Sequence, residues 1–451
     1  MHTLEQLRSG ELAGIRRLKL SCGLTSFPGE IMDLAETLEI LDLSGNALSA
    51  LPDDLALLSK LRIIFCSDNQ FTELPEVLGT CSELSMVGFK ANQIRTVTAQ
   101  SLPARLRWLI LTDNQIEELP SDIGNRPALQ KLMLAGNRLR SLPAALANCK
   151  NLELIRIAAN QLAEMPACLP ALPRLSWLAY SGNPFSAALE ARALNAPAVA
   201  EVSWKSLALQ ELLGEGASGF IHRAAYRDAG NDSAHVALKL FKGAVTSDGS
   251  PQCEMAASIS AGRHPNLINV IGKVNDHPSG ISGLVMELID PEFKNLAGPP
   301  SLDSCTRDVY PGDAGFDLPA ALDIARGIAS VARHLHAQGI MHGDLYAHNI
   351  LHCEQGRALI GDFGAASFYA REDRSSAEWL QRLEVRAFAC LLEELLERCH
   401  AVAGDESALA TLDDLKTACF SEDSARRPLF AEIDERLQAL IAGLDHRPVS
   451  A

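Results

Sequence analysis

Apolar residues recur in the first part of the chain in a short fixed pattern, LxxLxLxxN. The pattern begins with the variant IRRLKLSCG and continues as LEILDLSGN, LRIIFCSDN, LSMVGFKAN, LRWLILTDN, LQKLMLAGN, LELIRIAAN and LSWLAYSGN. From Gly23 to Asn183 its last position recurs at steps of 23 residues, with a single step of 22. Alternating apolar positions over so few residues predict one short β-strand per copy, and the regular period predicts a stack of similar units.

Two alternate positions of each predicted strand hold only apolar residues or Cys, and we expect them to form the interior of the stack. One row is Leu18, Leu41, Ile64, Val87, Leu109, Leu132, Ile155 and Leu178, and the other is Leu20, Leu43, Cys66, Phe89, Leu111, Leu134, Ile157 and Tyr180. One unit cannot bury this face alone, whereas stacked units can. The closing asparagine is expected to bond backbone groups at the turn that leaves each strand. In pattern and period these copies resemble short intracellular leucine-rich repeats.

The remaining strand positions point the other way, towards the concave face of the predicted solenoid. They are large and apolar: Ile40, Ile63, Phe65, Met86, Trp108, Ile110, Met133, Leu154 and Trp177. A solvent-facing apolar stripe is costly unless something covers it. One interpretation is a surface that binds a protein partner or substrate, anchored by Trp108 and Trp177, since aromatic anchors dominate many interfaces. The other is that a neighbouring domain or the C-terminal flank packs there.

The repeat pattern ends after Asn183, and an Ala- and Pro-rich stretch leads to a domain boundary that we place near residue 203. The segment LLGEGASGFIHRAAY follows, in which glycines let backbone N–H groups approach a phosphate closely. A dinucleotide-binding fold would need a helix directly after the glycines. Two alternating, β-like runs follow instead, FIHRAAY and HVALKLF, and the second contains Lys239.

Later segments carry carboxylates and an amide at fixed spacing. IMHGDLYAHNIL and LIGDFG place Asp344, Asn349 and Asp362 at separations of 5 and 13 residues. Together with VALK, HPNL and RPLF, in this order, they make the chain similar to a protein kinase over roughly residues 206 to 445. The whole layout resembles leucine-rich repeat protein kinases of the soluble, bacterial kind.

This resemblance implies a role for each matching residue. Lys239 would hold the α- and β-phosphates of ATP and pair with an acid, for which Glu254 is best placed. Asp344 would orient the attacking hydroxyl and accept its proton, and Asn349 and Asp362 would bind Mg²⁺. The residues implied in nucleotide binding are Gly214, Gly216, Gly219, Ile221, Ala237, Lys239, Met286, Glu287, Ile289 and Leu351, with Met286 in the gatekeeper position. By the same resemblance His342 is a packed histidine, and Glu384 stands where the family usually has aspartate.

Three departures from the kinase pattern leave alternatives open. Gly343 replaces the arginine that normally pairs with a phosphorylated activation loop, and Tyr346 replaces the lysine that neutralises the γ-phosphate. Only 19 residues separate Gly364 from Glu384, too few for a full activation segment. We expect an active protein kinase, serine/threonine rather than tyrosine on base rates. The alternatives are a pseudokinase scaffold that only binds nucleotide and a small-molecule phosphotransferase.

Charge and composition limit the expected binding partners and cellular location. Of 451 residues, 47% are apolar, and the net charge of −16 disfavours nucleic acid and anionic membranes as partners. The 11 cysteines include no CxxC pair, and neither a signal-peptide-like start nor a long uncharged apolar run occurs, so we expect a cytoplasmic protein with reduced thiols. We predict a multidomain chain, with an α/β leucine-rich-repeat solenoid over residues 1–203, an α+β two-lobed protein-kinase-like domain over 204–445 and a tail over 446–451.

Overall fold

Short parallel strands at the predicted positions organise the first part of the computed structural model, which describes residues 2–194, 200–216, 218–227, 234–243, 246, 248–400, 402 and 404–445. The chain divides into two units, Met1–Leu175 with Asn183–Phe185, and Ser176–Gly182 with Ser186–Ala451. The first unit opens with helix α1, followed by seven strands of three residues each: α1 (Leu4–Arg8), β1 (Arg17–Lys19), β2 (Ile40–Asp42), β3 (Ile63–Phe65), β4 (Met86–Gly88), β5 (Trp108–Ile110), β6 (Lys131–Met133) and β7 (Leu154–Arg156).

The strands of this unit pair in parallel with equivalent repeat positions opposite each other, so that Leu18 lies opposite Leu41 and Leu132 opposite Ile155. The two inward rows from β1 to β7 are fully buried. Each return segment contains a short 3₁₀ turn, and proline precedes four of these turns, at Pro28, Pro75, Pro120 and Pro143. The fixed φ of proline and its missing N–H suit this irregular entry.

The asparagine ladder satisfies backbone groups inside the stack, as predicted. Asn114 shows the arrangement: its Oδ1 accepts a hydrogen bond from the N–H of Ile94 at 2.9 Å, and its Nδ2 donates to the carbonyl of Phe89 at 2.9 Å. Each asparagine thereby joins the turn of one repeat to the backbone of the preceding one. Without it, these groups would lie unpaired in the interior.

The concave stripe is less exposed than its sequence predicts. Ile63, Met86 and Leu154 are buried, whereas Phe65, Ile110 and the other stripe residues of this unit are half-buried. A Cβ built on Gly88 would lie 2.5 Å from Phe65 Cδ1 and 3.6 Å from Ile110 Cδ1, so both side chains lean over the glycine between them. Neighbouring rungs of the stripe therefore cover one another.

The second unit starts with strand β8 (Trp177–Ala179), which carries the last copy of the repeat pattern, and helix α2 (Ala187–Leu194). A mixed sheet follows, with strand order β10-β11-β12-β14-β13-β9 and helix α3 between β12 and β13. The elements of this lobe are β9 (Ala200–Ser203), β10 (Leu207–Glu215), β11 (Gly219–Tyr226), β12 (Ala234–Phe241), α3 (Pro251–Ser260), β13 (Val270–Asn275) and β14 (Gly283–Glu287). Strand β9 joins the sheet parallel to β13, and the other pairs are antiparallel.

Helices dominate the remainder of this unit. Its elements are β15 (Lys294–Asn295), β16 (Phe316–Asp317), α4 (Leu318–Ala337), β17 (Ile340–Met341), β18 (Ile350–His352), β19 (Ala358–Ile360), β20 (Ser367–Phe368), α5 (Arg374–Glu397), β21 (Cys399–His400), α6 (Glu406–Cys419) and α7 (Phe430–Asp445). Helix α4 begins at an Asp317 cap and buries one face. Phe388 of α5 and Phe430 of α7 pack edge to face in the core, with ring centroids 5.6 Å apart. The predicted fold class, an α/β repeat solenoid and a two-lobed α+β domain, is confirmed.

The two units divide earlier in the chain than residue 203. Residues 176–182 match the repeat pattern in sequence, yet their contacts place them in the second unit, together with α2 and β9. The predicted tail, residues 446–451, lies outside the described residues. Within the described ranges, no helix has the length and apolar character needed to cross a membrane. All cysteines are free thiols.

Candidate active site

A cavity of about 390 Å³ lies between the sheet and the helical lobe of the second unit. Most of the predicted site residues line it: Gly214, Gly216, Gly219, Ile221, Lys239, Glu254, Met286, Asn349, Leu351 and Asp362. Four others do not line it: Ala237 is buried and pairs with Met286 across the sheet, and Glu287, Ile289 and Asp344 lie outside its wall. The N–H of Glu287 donates to the carbonyl of Asn269 at 3.0 Å and is therefore already occupied.

The glycine segment forms the turn between β10 and β11. The N–H of Gly216 donates to the carbonyl of Gly219 at 2.9 Å, which closes the turn. A Cβ at Gly219 would lie 2.3 Å from the carbonyl oxygen of Leu240 on β12, so only glycine permits this strand separation. The backbone of the turn consequently forms one wall of the cavity.

Lys239 and Glu254 form a buried ion pair across the cavity. Their side chains are only 11% and 2% exposed. Lys239 lies on β12, and Glu254 lies in the first turn of α3, which Ser250 caps by accepting a hydrogen bond from the N–H of Cys253. Burial raises the pKa of Glu254, and the opposing charge of Lys239 favours its ionised form. Pro251 opens α3 at a position where the missing N–H costs nothing.

The loop that follows β17 brings Asp344 and Asn349 together. Asn349 Nδ2 donates to Asp344 Oδ2 at 2.8 Å and to the Asp344 carbonyl at 2.9 Å. His342 is buried, and its Nε2 lies 2.9 Å from the carbonyl of Gly361, while its ring packs on Phe363 at 5.3 Å between centroids. His342 is therefore the packed histidine that the sequence predicts, and it ties this loop to the segment that carries Asp362.

Glu384 binds the backbone of the same loop. The carboxylate, 1% exposed, accepts hydrogen bonds from the N–H of Gly343 at 2.8 Å and of His342 at 3.3 Å, and it lies 2.7 Å from His336 Nε2. Burial alone would raise the pKa of Glu384, but the bond to and charge of His336, followed by His342 and the Gly343 N–H, lower it below its ordinary value. Sequence reasoning treated Glu384 as a mark of the fold and missed this role.

Asp308 is a second residue that the sequence analysis missed. Its Oδ1 lies 2.7 Å from His348 Nδ1, and its Oδ2 accepts from the His348 N–H at 2.9 Å. Burial lowers the pKa of His348, but the bond and charge of Asp308, with Asp344 and Asp362, outweigh it, so the pKa is raised. His348 lines the cavity, and Asp308 favours its protonated form. Asp308 lies 40 residues earlier in an irregular segment, so no local pattern could have indicated it.

The donor set suits Mg²⁺. Asn349 uses its N–H bonds within the loop, so its side-chain oxygen is the group that it can offer to an ion. Asp362 is exposed and lines the cavity. Its backbone is in the left-handed region, with φ of 53°. One carboxylate and one amide oxygen beside a phosphate site are hard ligands that match Mg²⁺ bound jointly with phosphates. Within the described residues, no cluster of three or more His, Cys, Asp and Glu side chains could hold a metal.

The segment after Asp362 is short, as predicted. It pairs with β17 through β20 and enters α5 at Arg374. Ser367 and Tyr369, which could otherwise be autophosphorylation sites, are buried, whereas Ser375 and Ser376 at the start of α5 are exposed. Arg427 donates hydrogen bonds to the carbonyls of Ser421 and Arg382.

Comparisons with known families agree with this geometry. The family of protein tyrosine and serine/threonine kinases matches residues 207–393, and leucine-rich repeat families match residues 37–58 and 104–162. The chain combines leucine-rich repeats with a protein kinase domain. The kinase match spans the glycine turn, Lys239, the Asp344 loop and Asp362, and it ends within α5.

Similarity to individual proteins is confined to part of each. A dual serine/threonine and tyrosine protein kinase of Pimephales promelas is 26% identical over 216 residues, which cover 40% of this chain and 23% of that protein. A probable serine/threonine-protein kinase of Dictyostelium discoideum is 26% identical over 225 residues, or 41% and 28% of the two chains. This chain thus spans about a quarter of the length of these curated relatives. A solved leucine-rich repeat protein of Leptospira interrogans is 29% identical, with a TM-score of 0.37 and coverage of 40% and 46%.

Proposed function

We propose that the protein is an ATP-dependent protein kinase whose repeats bind a protein partner or substrate. Its target residues are serine or threonine in preference to tyrosine. The observation that carries the proposal is the buried Lys239–Glu254 pair in the same cavity as Asn349 and Asp362. A buried lysine paired in this way is held in place to contact the phosphates of ATP. The preference for serine and threonine follows the activity named for the Dictyostelium discoideum relative, whereas the Pimephales promelas relative is named for both serine/threonine and tyrosine.

Each residue of the site has a task in phosphoryl transfer. Lys239 would bind the α- and β-phosphates, and the glycine turn would cover them with backbone N–H groups. Asp344, held by Asn349, would orient the attacking hydroxyl and accept its proton. Mg²⁺ bound by Asn349 and Asp362 would neutralise charge that develops on the phosphates. His348, whose protonated form Asp308 favours, lines the same cavity.

One observation favours a nucleotide-binding scaffold as second candidate. Tyr346, at the position of the usual lysine, is buried, so its side chain brings no charge to the γ-phosphate. The short segment before α5 also reduces the platform for a peptide, which keeps a small-molecule phosphotransferase as a further alternative. The intact Lys239–Glu254 pair and the Asp344–Asn349 bonds support an active enzyme over the scaffold.

Phosphate transfer from Mg²⁺-ATP by the purified chain tests the proposal. Transfer to the chain itself and to a generic protein substrate is expected, and Asp344→Asn and Lys239→Ala should each lower the rate by about 100-fold or more. Lys273→Ala and Asp313→Asn are matched controls, because both residues are exposed and lie outside the cavity. The controls should retain the wild-type rate.

Other results would select an alternative. No transfer, with Mg²⁺-ATP still raising the melting temperature of the wild type, would contradict the kinase proposal and favour the scaffold. Transfer to small hydroxylated or aminated molecules but not to protein would favour the small-molecule phosphotransferase. Equal transfer by wild type and both site variants would show that the activity does not come from this cavity.

A further inference from the structure

Two of the departures from the kinase pattern, Tyr346 and Gly343, contact the same element, strand β8. The ring of Tyr346 stacks on the indole of Trp177, with centroids 4.2 Å apart and planes within 6° of parallel. Trp177 Nε1 donates to the carbonyl of Leu345 at 3.0 Å. The residues that surround Asp344 are thus held by an aromatic stack and a buried hydrogen bond from the last repeat strand. Trp177, expected to anchor an external partner, is 1% exposed and occupied within the second unit.

The backbone of β8 is also one of two segments that crowd Gly343. A Cβ at this position would lie 2.6 Å from the carbonyl oxygen of Leu178 and 2.5 Å from that of Ala365. Gly343 has φ of 74°, in the left-handed region that favours glycine. A side chain at this position would meet both carbonyls. The usual arginine is therefore excluded by the left-handed backbone and by two carbonyls, of which β8 supplies one and Ala365 the other.

Tyr180, which directly follows β8, forms hydrogen bonds with the segment after Asp362. The N–H of Tyr180 donates to Ser367 Oγ at 3.1 Å, and the Tyr180 hydroxyl donates to the carbonyl of Phe368 at 3.0 Å. Tyr180 and Ser367 are buried, and burial raises the pKa of the Tyr180 hydroxyl, so it remains a donor. Ser367 and Phe368 pair in turn with Met341 and Ile340 just before the catalytic loop.

The stretch after β8 reaches α3, which carries Glu254. Glu190 of α2 accepts from the N–H of Gly182 at 2.8 Å through Oε1. Its Oε2 lies 3.4 Å from the thiol of Cys253, the residue beside Glu254. Burial, followed by the charge of Glu190, raises the pKa of Cys253 to about 11, which keeps the thiol protonated as a donor. One continuous stretch of chain therefore contacts the catalytic loop, the following segment and α3.

We propose that residues 176–182 and 186–194 are a built-in positioning element of the kinase, in which Trp177 and Tyr180 order the catalytic loop and the segment after Asp362. The inference rests on the proposed kinase function. In this protein, the order that a phosphorylated activation loop supplies through arginine in other kinases comes from the last repeat strand. The buried hydroxyls of Ser367 and Tyr369 are consistent with a segment that is held in one conformation without phosphate.

Amide hydrogen exchange of the full chain tests this positioning role without relying on activity. Trp177→Leu removes the stack and the indole donor, Trp177→Phe keeps a ring, and Tyr180→Phe removes only the hydroxyl bond to Phe368. We expect exchange in residues 341–349 and 363–370 to rise about tenfold in Trp177→Leu, less in Trp177→Phe, and in Tyr180→Phe to rise mainly in 363–370. Trp204→Leu and Tyr226→Phe are the matched controls, since both side chains pack against the core of the sheet in the same unit.

The split between kcat and KM gives the second readout. The Trp177 variants should lower kcat about tenfold with KM for ATP changed less than about twofold, because they disturb loop geometry rather than the nucleotide cavity. Unchanged exchange in both segments in Trp177→Leu and Tyr180→Phe would overturn the inference. If Trp177→Leu raises exchange throughout the second unit, that variant has disturbed the fold as a whole. The result for Tyr180→Phe alone then supports or overturns the inference. A wild type that transfers no phosphate would refute the proposed function, while the exchange result would still support or overturn the positioning role.

Discussion

At the scale of single residues, Glu384 shows how one buried carboxylate can organise a site. It accepts two backbone N–H groups of the loop that leads to Asp344 and bonds His336 on α4. A buried carboxylate is tolerated only when such partners satisfy it. The loop geometry on which Asp344 depends is therefore coupled to one ionised group that does not touch the cavity.

Glu384→Gln should destabilise the protein and reduce its sensitivity to acid. We expect a loss of about 1–3 kcal/mol in the free energy of unfolding near pH 7, because a charge-assisted acceptor becomes a neutral one. Since the folded-state pKa of Glu384 is lowered, its contribution is full above about pH 4.3, the ordinary glutamate value, and is lost as the pH falls through the lowered pKa. Urea denaturation from pH 7 to pH 3 measures both effects.

Glu354→Gln is the control for this measurement, because Glu354 is exposed. Its stability curve should overlay that of the wild type. If Glu384→Gln loses stability with acid as steeply as the wild type does, Glu384 is not the group whose ionisation supports the loop.

At the scale of elements, the asparagine ladder makes neighbouring repeats depend on one another. Asn137 Oδ1 accepts from the Ile116 N–H at 3.0 Å, and its Nδ2 donates to the carbonyls of Leu111 and Leu134, both at 2.9 Å. Asn46 makes equivalent bonds near the start of the stack, where it is half-buried. The same bonds therefore occur at two levels of solvent access.

Asn137→Ala is expected to cost about 3 kcal/mol, because it leaves several buried backbone groups without a partner at about 1–3 kcal/mol each, not fully additive. Asn46→Ala should cost about 1 kcal/mol, since water can replace part of its bonds. The shift in the urea unfolding transition of the repeats measures both. Equal losses at the two positions would show that burial does not control the strength of the ladder.

At the scale of the whole molecule, the chain is organised differently from its repeat pattern. Residues 176–182 continue the leucine-rich period, yet they belong to the compact unit that contains the candidate active site. Removing residues 1–203 therefore removes Trp177, Tyr180 and Glu190 as well as the concave stripe. Such a deletion cannot separate partner binding from positioning of the catalytic loop.

A chain that begins at residue 204 should transfer phosphate poorly to every substrate, generic protein included. We expect a fall of about tenfold or more, because the catalytic loop loses its aromatic stack and the following segment loses two hydrogen bonds. In the full chain, Trp108→Ala should leave transfer to generic protein unchanged and lower only transfer to a partner recruited by the repeats, whose advantage is effective concentration. Full activity of the shortened chain would contradict this organisation.

Local patterns were enough to predict much of this molecule. The apolar rows and the asparagines predict the repeat strands, because these residues contact only their own repeat or a neighbouring one. Lys239, Asn349 and Asp362 line one cavity, and the structure adds a hydrogen bond from Asn349 to Asp344. Their roles in transfer stay predictions until the rate measurements are made.

The sequence by itself determined the period of the solenoid, because strand alternation is a short-range property of the chain, and its resemblance to protein kinases implied the two-lobed fold and the set of candidate residues. Only the tertiary structure decided what covers Trp177, what pairs with His348 and why position 343 is glycine. Trp177 and Leu345 are 168 residues apart, and alternation shows only that the indole points away from the repeat interior. Which surface a side chain meets depends on where distant segments pack, and no local pattern records that choice.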